Sequence, residues 1–164
     1  MIILGIDPGL ATMGWGVIYI DKGRTQVVDY GVVLTPKEQT LPERLCTLEN
    51  GVIALFEKFK PDEVAIEELF FNTNITTGIN VAHARGVTLL TCVKKCKKLY
   101  EYTPLQIKQA LTGYGRAEKR QMQIMVKTLL RLDKIPKPDD AADALAVALT
   151  HAQTNKFSSG FGIR

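Results

Sequence analysis

Four carboxylates carry the chemistry open to this sequence. Asp7 closes the apolar run MIILGID, Glu67 interrupts the apolar alternation of VAIEELF, and Asp140 and Asp143 belong to DDAADALAVALTH. That last stretch opens an otherwise apolar helical pattern with three acids, Asp139, Asp140 and Asp143. Capping explains one such residue, because an acid at a helix start satisfies free N–H groups and faces the positive end of the macrodipole. Asp140 and Asp143, three positions apart, share one helix face and repel each other unless something positive lies between them. Taken alone the stretch favours capping. Burying Asp7 beside Glu67 shifts the balance, since desolvation and mutual repulsion both disfavour the charged forms. Divalent cations remove that penalty, and four carboxylates balance two Mg²⁺ ions. An all-oxygen set suits Mg²⁺, with Mn²⁺ as a substitute, over zinc. Two such ions about 3.5–4 Å apart can activate a water and stabilise the leaving 3′-oxygen of a phosphodiester.

The elements that must bring these acids together can be read from the residue pattern. Residues 1–7 form a buried strand stopped by Asp7, with Pro8-Gly9 as turn punctuation. Residues 14–20 and 26–34 are rich in β-formers and flank a turn at 21–24, so three antiparallel strands open the fold. Thr40-Leu-Pro-Glu43 has capping-box spacing and begins a helix that runs to about Phe59. Residues 63–69 give a fourth strand, which crosses over to lie parallel to the first. A loop at 70–78, a helix at 79–96, a short strand at 99–102 and a helix at 104–111 follow. The joint GYGR leads into a basic helix at 117–132, the connector DKIPKP into a last helix ending near Gln153, and 154–164 reads as a flexible tail. The whole is an α/β domain over residues 1–153, with one five-stranded mixed sheet: three antiparallel strands, then two parallel ones, flanked by helices. In its centre the first and fourth strands are neighbours, so Asp7 and Glu67 can point to one side.

Composition is that of an ordinary globular chain of one domain, with no apolar run of membrane-spanning length and no signal-peptide pattern at the N-terminus. A cytoplasmic location without membrane attachment is expected. Cys46, Cys92 and Cys96 are odd in number and lack a second pair for zinc, so all three read as reduced and structural. His83 and His151 have no metal-motif partners and read as partly buried or surface imidazoles, and Trp15 reads as core. The net charge of +4 is unevenly placed: residues 94–131 hold ten basic and two acidic side chains, a net +8, leaving −4 for the rest. Such a division suits a protein that holds phosphates on one surface and cations in a pocket.

Linked motifs extend the argument beyond the acids. The stretches GIDPG, AIEELFFNTN, ARGV, IKQALTGYGRAEKRQ and DAADALAVALTH, spread over residues 1–151, resemble the RuvC family of Holliday-junction resolvases, a branch of the RNase H-like superfamily. The resemblance implies an RNase H-like fold and a Mg²⁺-dependent endonuclease of DNA recombination and repair, one that cuts four-way junctions and leaves 5′-phosphates. It implies Asp7, Glu67, Asp140 and Asp143 as the metal-binding catalytic set, with Lys108 and Lys119 beside the scissile phosphate. It further implies Phe70 as an aromatic at the crossover, able to stack on an unpaired base. Phe71 is an alternative for that role, and Asp139 for Asp140, though Asp139 is rotated about 100° away on the helix. Asn72, Arg85, Arg116 and Arg120 complete the expected DNA-binding set, with an intersubunit contact as the other reading of Arg85.

A junction of approximate twofold symmetry cut in two like strands calls for a C2 homodimer. Residues 79–96 carry Val81, Ala82, Ala84, Gly86, Val87 and Leu90, suited to close packing against a twin or against the chain's own sheet. A branch-migration motor is the further partner implied by the family. Three other functions compete. An actin-like ATPase needs a second domain that this length does not accommodate. A ribosomal-RNA-maturation nuclease fails to explain GYGRAEKRQ and DAADALAVALTH. A catalytically dead junction-binding module does not fit the presence of all four acids.

Overall fold

Alternation along the first strand decides the architecture. The computed structural model describes residues 1–68, 75–96 and 98–154, apart from the side chains of 75–77. In β1 (Ile2–Asp7), Leu4 and Ile6 turn to one face, while Ile3, Gly5 and Asp7 turn to the other. β2 (Thr12–Asp21) pairs antiparallel with β1, and β3 (Arg24–Leu34) pairs antiparallel with β2. β4 (Glu63–Glu67) and β5 (Leu99–Tyr102) add in parallel, giving the order β3-β2-β1-β4-β5 expected from the sequence. Helices α1 (Leu41–Phe59) and α2 (Ile75–Lys95) cover the face of Leu4 and Ile6. Helices α3 (Pro104–Thr112), α4 (Lys119–Leu129) and α5 (Asp139–Thr154) cover the face of Ile3.

Several boundaries differ from the sequence reading, each for a local reason. The first hairpin closes on Lys22 and Gly23, both at positive φ (44° and 81°), a two-residue turn that lets the strands run on to Asp21 and from Arg24. β4 stops at Glu67, and α2 starts at Ile75, four residues before the expected start, so 75–78 is helix where a loop was expected. The Thr and Gly of that turn cost less than about 1 kcal/mol each against alanine, which a long helix anchored further along overrides. α4 is shorter than expected because Glu118 and Gln121 form a capping box at its start and Arg131 takes a left-handed conformation after its end. Thr40 and Glu43 form the capping box expected at the start of α1. Thr154 closes α5, and the rest of the expected tail lies outside the described residues.

α5 is buried along nearly its whole length and lies across β1, β2 and β4. Its far end is fixed by His151, which is fully buried rather than partly exposed as its isolation in sequence suggested. The Tyr102 hydroxyl donates to Nδ1 at 2.7 Å, and Nε2–H donates to Glu63 at 2.8 Å. Lys98 closes the chain by donating to the other oxygen of Glu63 at 3.3 Å. Burial holds the His151 imidazole below its ordinary value of 6.5, outweighing the pull of Glu63. At Glu63 burial pushes upward, but the hydrogen bonds from His151 and Lys98 win and hold the carboxyl below its ordinary range. The unfolded chain therefore takes up protons before the folded one at both sites, and stability falls on acidification. The stabilisation contributed by His151 should therefore shrink as pH is lowered from about 7 toward 5, through the imidazole window, and it is read as the difference in melting temperature between wild type and a His151 variant. His151→Gln should melt lower than wild type at pH 7.5, with the gap closing toward pH 5; a gap that stays constant across that range in thermal melts of the two proteins would assign the titration to other groups.

Candidate active site

The site forms where the ends of the interior strands β1 and β4 meet the first turns of α5. Asp7 is the last residue of β1 and Glu67 the last of β4, each one step beyond the paired Ile6 and Ile66. Alternation puts both on the face of Ile3 and Ala65, which is the face α5 covers. α5 can come down onto them only because the sheet beneath it lacks side chains. A Cβ on Gly14, the β2 partner of Asp7, would meet the Asp140 main-chain oxygen at 2.0 Å, and one on Gly5 would meet that of Ala144 at 2.2 Å. Glycine at these two positions lets the helix backbone rest on the sheet backbone. Asp140 and Asp143 are thereby brought to Asp7 and Glu67.

The electrostatics register that crowding. Burial, then Glu67, Asp143 and Asp140, push Asp7 up to about 8, against the pull of Lys119. Burial and Asp143 push Glu67 up to about 7, while Lys108, Lys119 and a hydrogen bond with Asp7 act the other way. Burial also raises Asp143. Its counter-ion is Lys119, the first residue of α4, whose ammonium lies 3.1 Å away. Glu67, Asp143, Lys108 and Lys119 line a cleft of about 210 Å³ with Ile107 and Met122 at its apolar wall. All four acids and both lysines of the sequence reading are thus gathered at one place.

Among the described residues, no three His, Cys, Asp or Glu side chains are oriented so as to enclose a metal ion. Lys119 instead supplies the positive charge at Asp143. The donor set nonetheless fits divalent cations: it is all oxygen, burial and mutual repulsion raise Asp7 to about 8 and Glu67 to about 7, and its counter-ion is a half-exposed lysine rather than a buried one. Asp139 is arranged differently. It is bound by Lys137 at 2.6 Å and lies 3.7 Å from Lys119, and these partners hold its carboxyl below the ordinary range.

The remaining expected residues divide. Arg116 and Arg120 are exposed beside Lys119, where α3 passes into α4. Arg85 lies on α2, on the opposite face of the sheet, ion-paired with Glu101 and mostly covered. Phe70, Phe71 and Asn72 lie outside the described residues. Sequence reasoning did not single out Arg44, Asn80, Glu63 or Tyr102. Arg44 and Asn80 line a second cleft that shares Asp140 with the first site. No motif marks either residue; only their convergence in space does.

The family model described as crossover junction endodeoxyribonuclease RuvC matches residues 3–151. A curated relative, the crossover junction endodeoxyribonuclease RuvC of Alkaliphilus oremlandii, is 55% identical over 164 residues, covering 100% of both chains. The structure of RuvC from Thermus thermophilus superposes with a TM-score of 0.90 at 34% identity, over 99% of this chain and 100% of that one. The same protein in complex with a Holliday junction substrate superposes with a TM-score of 0.92 at 33% identity, over 99% of both chains.

The seating of α5 can be tested without any ligand. Gly14→Ala forces backbone apart and should cost about 1–3 kcal/mol, the usual range for overpacking. It should also abolish nuclease activity by lifting Asp140 away from Asp7. A variant that melts and cuts like the wild type would show that α5 tolerates a wider separation from the sheet.

Proposed function

The chain belongs to the RuvC family of crossover junction endodeoxyribonucleases, and on that premise we propose how its own residues do the work. It is a Holliday-junction resolvase, an endonuclease of DNA recombination and repair. The family is one of metal-dependent nucleases. Asp7, Glu67, Asp140 and Asp143 hold the metal in our reading, and oxygen-only ligands favour two Mg²⁺ ions, replaceable by Mn²⁺. When bound, the cations supply Lewis acidity toward the phosphodiester and make water a competent nucleophile at neutral pH. The observation that carries this assignment is the crowding of four carboxylates with two lysines at the ends of β1 and β4.

The protein's own groups bind and orient the substrate. Lys108, supported by the packed Ile107 and Leu111 on α3, holds a non-bridging phosphate oxygen. Lys119 exchanges its contact with Asp143 for the scissile phosphate as the strand enters, so positive charge follows the developing negative charge. Asp139 serves as the second anchor of Lys119 and not as a metal ligand, because Lys137 already occupies its carboxylate. Arg116 and Arg120 contact flanking phosphates, and Phe70 or Phe71 with Asn72 engages the crossover. Residues 1–153 act as one nuclease domain in the cytoplasm, where recombining DNA lies, and a branch-migration motor is the further partner.

Paired cutting calls for two sites, and α2 offers the surface. Ile79, Ala82, Gly86, Leu90 and Val93 are all exposed and repeat along one side of the helix, whereas Ala84, Thr88 and Cys92 face the chain's own core. A side chain at Gly86 would meet nothing, so that position is open to the close approach of a twin. We assign this stripe to a C2 homodimer.

Mg²⁺-dependent cleavage of a synthetic four-way junction, beside a linear duplex of the same sequence, tests the function. Wild type should cut the junction alone, and Asp7→Asn should lose cleavage by at least about 10³-fold while retaining junction binding within a few-fold. Loss of binding in that variant would contradict the separation of acids from phosphate contacts. Leu90→Glu should sediment as a monomer and nick junctions without paired incision; a dimeric Leu90→Glu would move the interface off α2.

A further inference from the structure

A second cleft, of about 410 Å³, reaches the acids at Asp140 and shares no wall residue with the cleft of Lys108 and Lys119. It is walled by the β1–β2 turn at 9–12, by Arg44 of α1 and by Asn80 and Val81 of α2, and Asp140, one of the four acids, completes its lining. Arg44 is held there firmly. Its Nε–H donates to the Thr35 hydroxyl at 2.7 Å, and that buried hydroxyl donates in turn to the Leu10 carbonyl at 2.6 Å, within the turn itself. Nε is thereby used for support, and the two terminal nitrogens are left for the cleft. Among the described residues no carboxylate lies within salt-bridge distance of Arg44, in contrast to Arg85, which is neutralised by Glu101. An anchored guanidinium without a counter-ion, bordering a nuclease centre, is suited to a phosphate, because its planar fork matches the oxygens of an anion.

We propose that Arg44, with Asn80 beside it, binds the backbone phosphate adjacent to the scissile one, on the far side of the acids from Lys108 and Lys119. The inference rests on the assignment of the four acids as the cleavage centre. A strand crossing that centre must leave it on both sides. The α3–α4 lysines serve one exit, and the α1–α2 cleft serves the other. Arg44 acts in binding and registration and touches no reacting atom. Its loss weakens the grip on any sequence uniformly, as expected of a phosphate contact.

Junction affinity measured against salt in EDTA, without cleavage, gives the first readout. Arg44→Gln should bind about 5- to 10-fold more weakly near 0.1 M salt, with a log–log salt slope shallower by about one. Arg44→Lys keeps the charge and should recover the wild-type slope and part of the affinity; a Lys variant as weak and shallow as the Gln variant would make Arg44 a structural residue and overturn the proposal. Junctions carrying a single neutral methylphosphonate beside the scissile position give the second readout. One of these should weaken wild type as much as Arg44→Gln does, and should weaken Arg44→Gln no further. Should the Gln variant fail to fold, the same comparison between wild type and Arg44→Lys decides the matter, with insensitivity of wild type to every neighbouring methylphosphonate overturning the proposal. Unchanged affinity and slope in a folded Arg44→Gln would overturn it as well. A wild-type protein that cuts the linear duplex as readily as the junction, or cuts neither, would instead count against the resolvase reading, whatever Arg44 does.

Discussion

Everything at this site follows from how near the backbone of α5 lies to the backbone of β1 and β2. Two acids at strand ends and two in a helical turn can share charge only if the helix sits directly on the sheet. That approach requires positions without a Cβ where the carbonyls of Asp140 and Ala144 come down, and Gly14 and Gly5 are those positions. The crowding that results is unfavourable for the fold taken alone, since burial and repulsion lift Asp7 to about 8 and Glu67 to about 7. Local destabilisation of this kind persists only where the surroundings over-determine it, and it is a common mark of catalytic centres.

The far end of α5 supplies part of that over-determination. β4 presents Glu63, Ala65 and Glu67 on one face, so a single strand meets α5 at both of its ends. Glu67 faces the acids of the first turns, while Glu63 receives His151 near the last. The two ends use opposite solutions to the same problem of buried charge. At Glu63 a full chain of hydrogen bonds from Tyr102 through His151 and Lys98 satisfies the carboxylate and draws it below its ordinary range. At Glu67 compensation is left incomplete, and the carboxyl rises. One end of the helix is a fixed post; the other is available for cations and substrate.

The sheet order and the four acids were legible because both are written in local patterns: alternation in MIILGID and VAIEELF, and the spacing of Asp140 and Asp143. The linked motifs GIDPG, AIEELFFNTN and DAADALAVALTH carry the family resemblance in the same local way. Boundaries were less legible where turn chemistry or tertiary contacts outweighed propensity, as at Lys22-Gly23 and at the start of α2. His151 and Arg44 could not be read at all. Each gains its meaning from partners 88 and 9 positions away, Glu63 and Thr35, and no periodicity encodes such a pairing. The two faces of α2 were also beyond the sequence, since apolar residues occur around the whole helix and only the fold separates Ala84 from Leu90.

The division of charge along the chain is a coarser guide than it first suggests. Of the ten basic residues between 94 and 131, Lys98 is committed to Glu63, at the end of β4 opposite Glu67, and Lys94 and Lys95 close α2 on the other face of the sheet. Those that reach the acids come from α3 and the start of α4. Arg44, outside the basic segment altogether, borders the centre more directly than most of them. What sets Arg44 apart among these cations is the absence, among the described residues, of a carboxylate partner together with a fixed position, and neither is a property of sequence density. Arg85 fails the first condition through Glu101, and the exposed lysines of the α2 terminus fail the second. Arg44 meets both, and Lys119 meets the second through its ion pairs with Asp139 and Asp143.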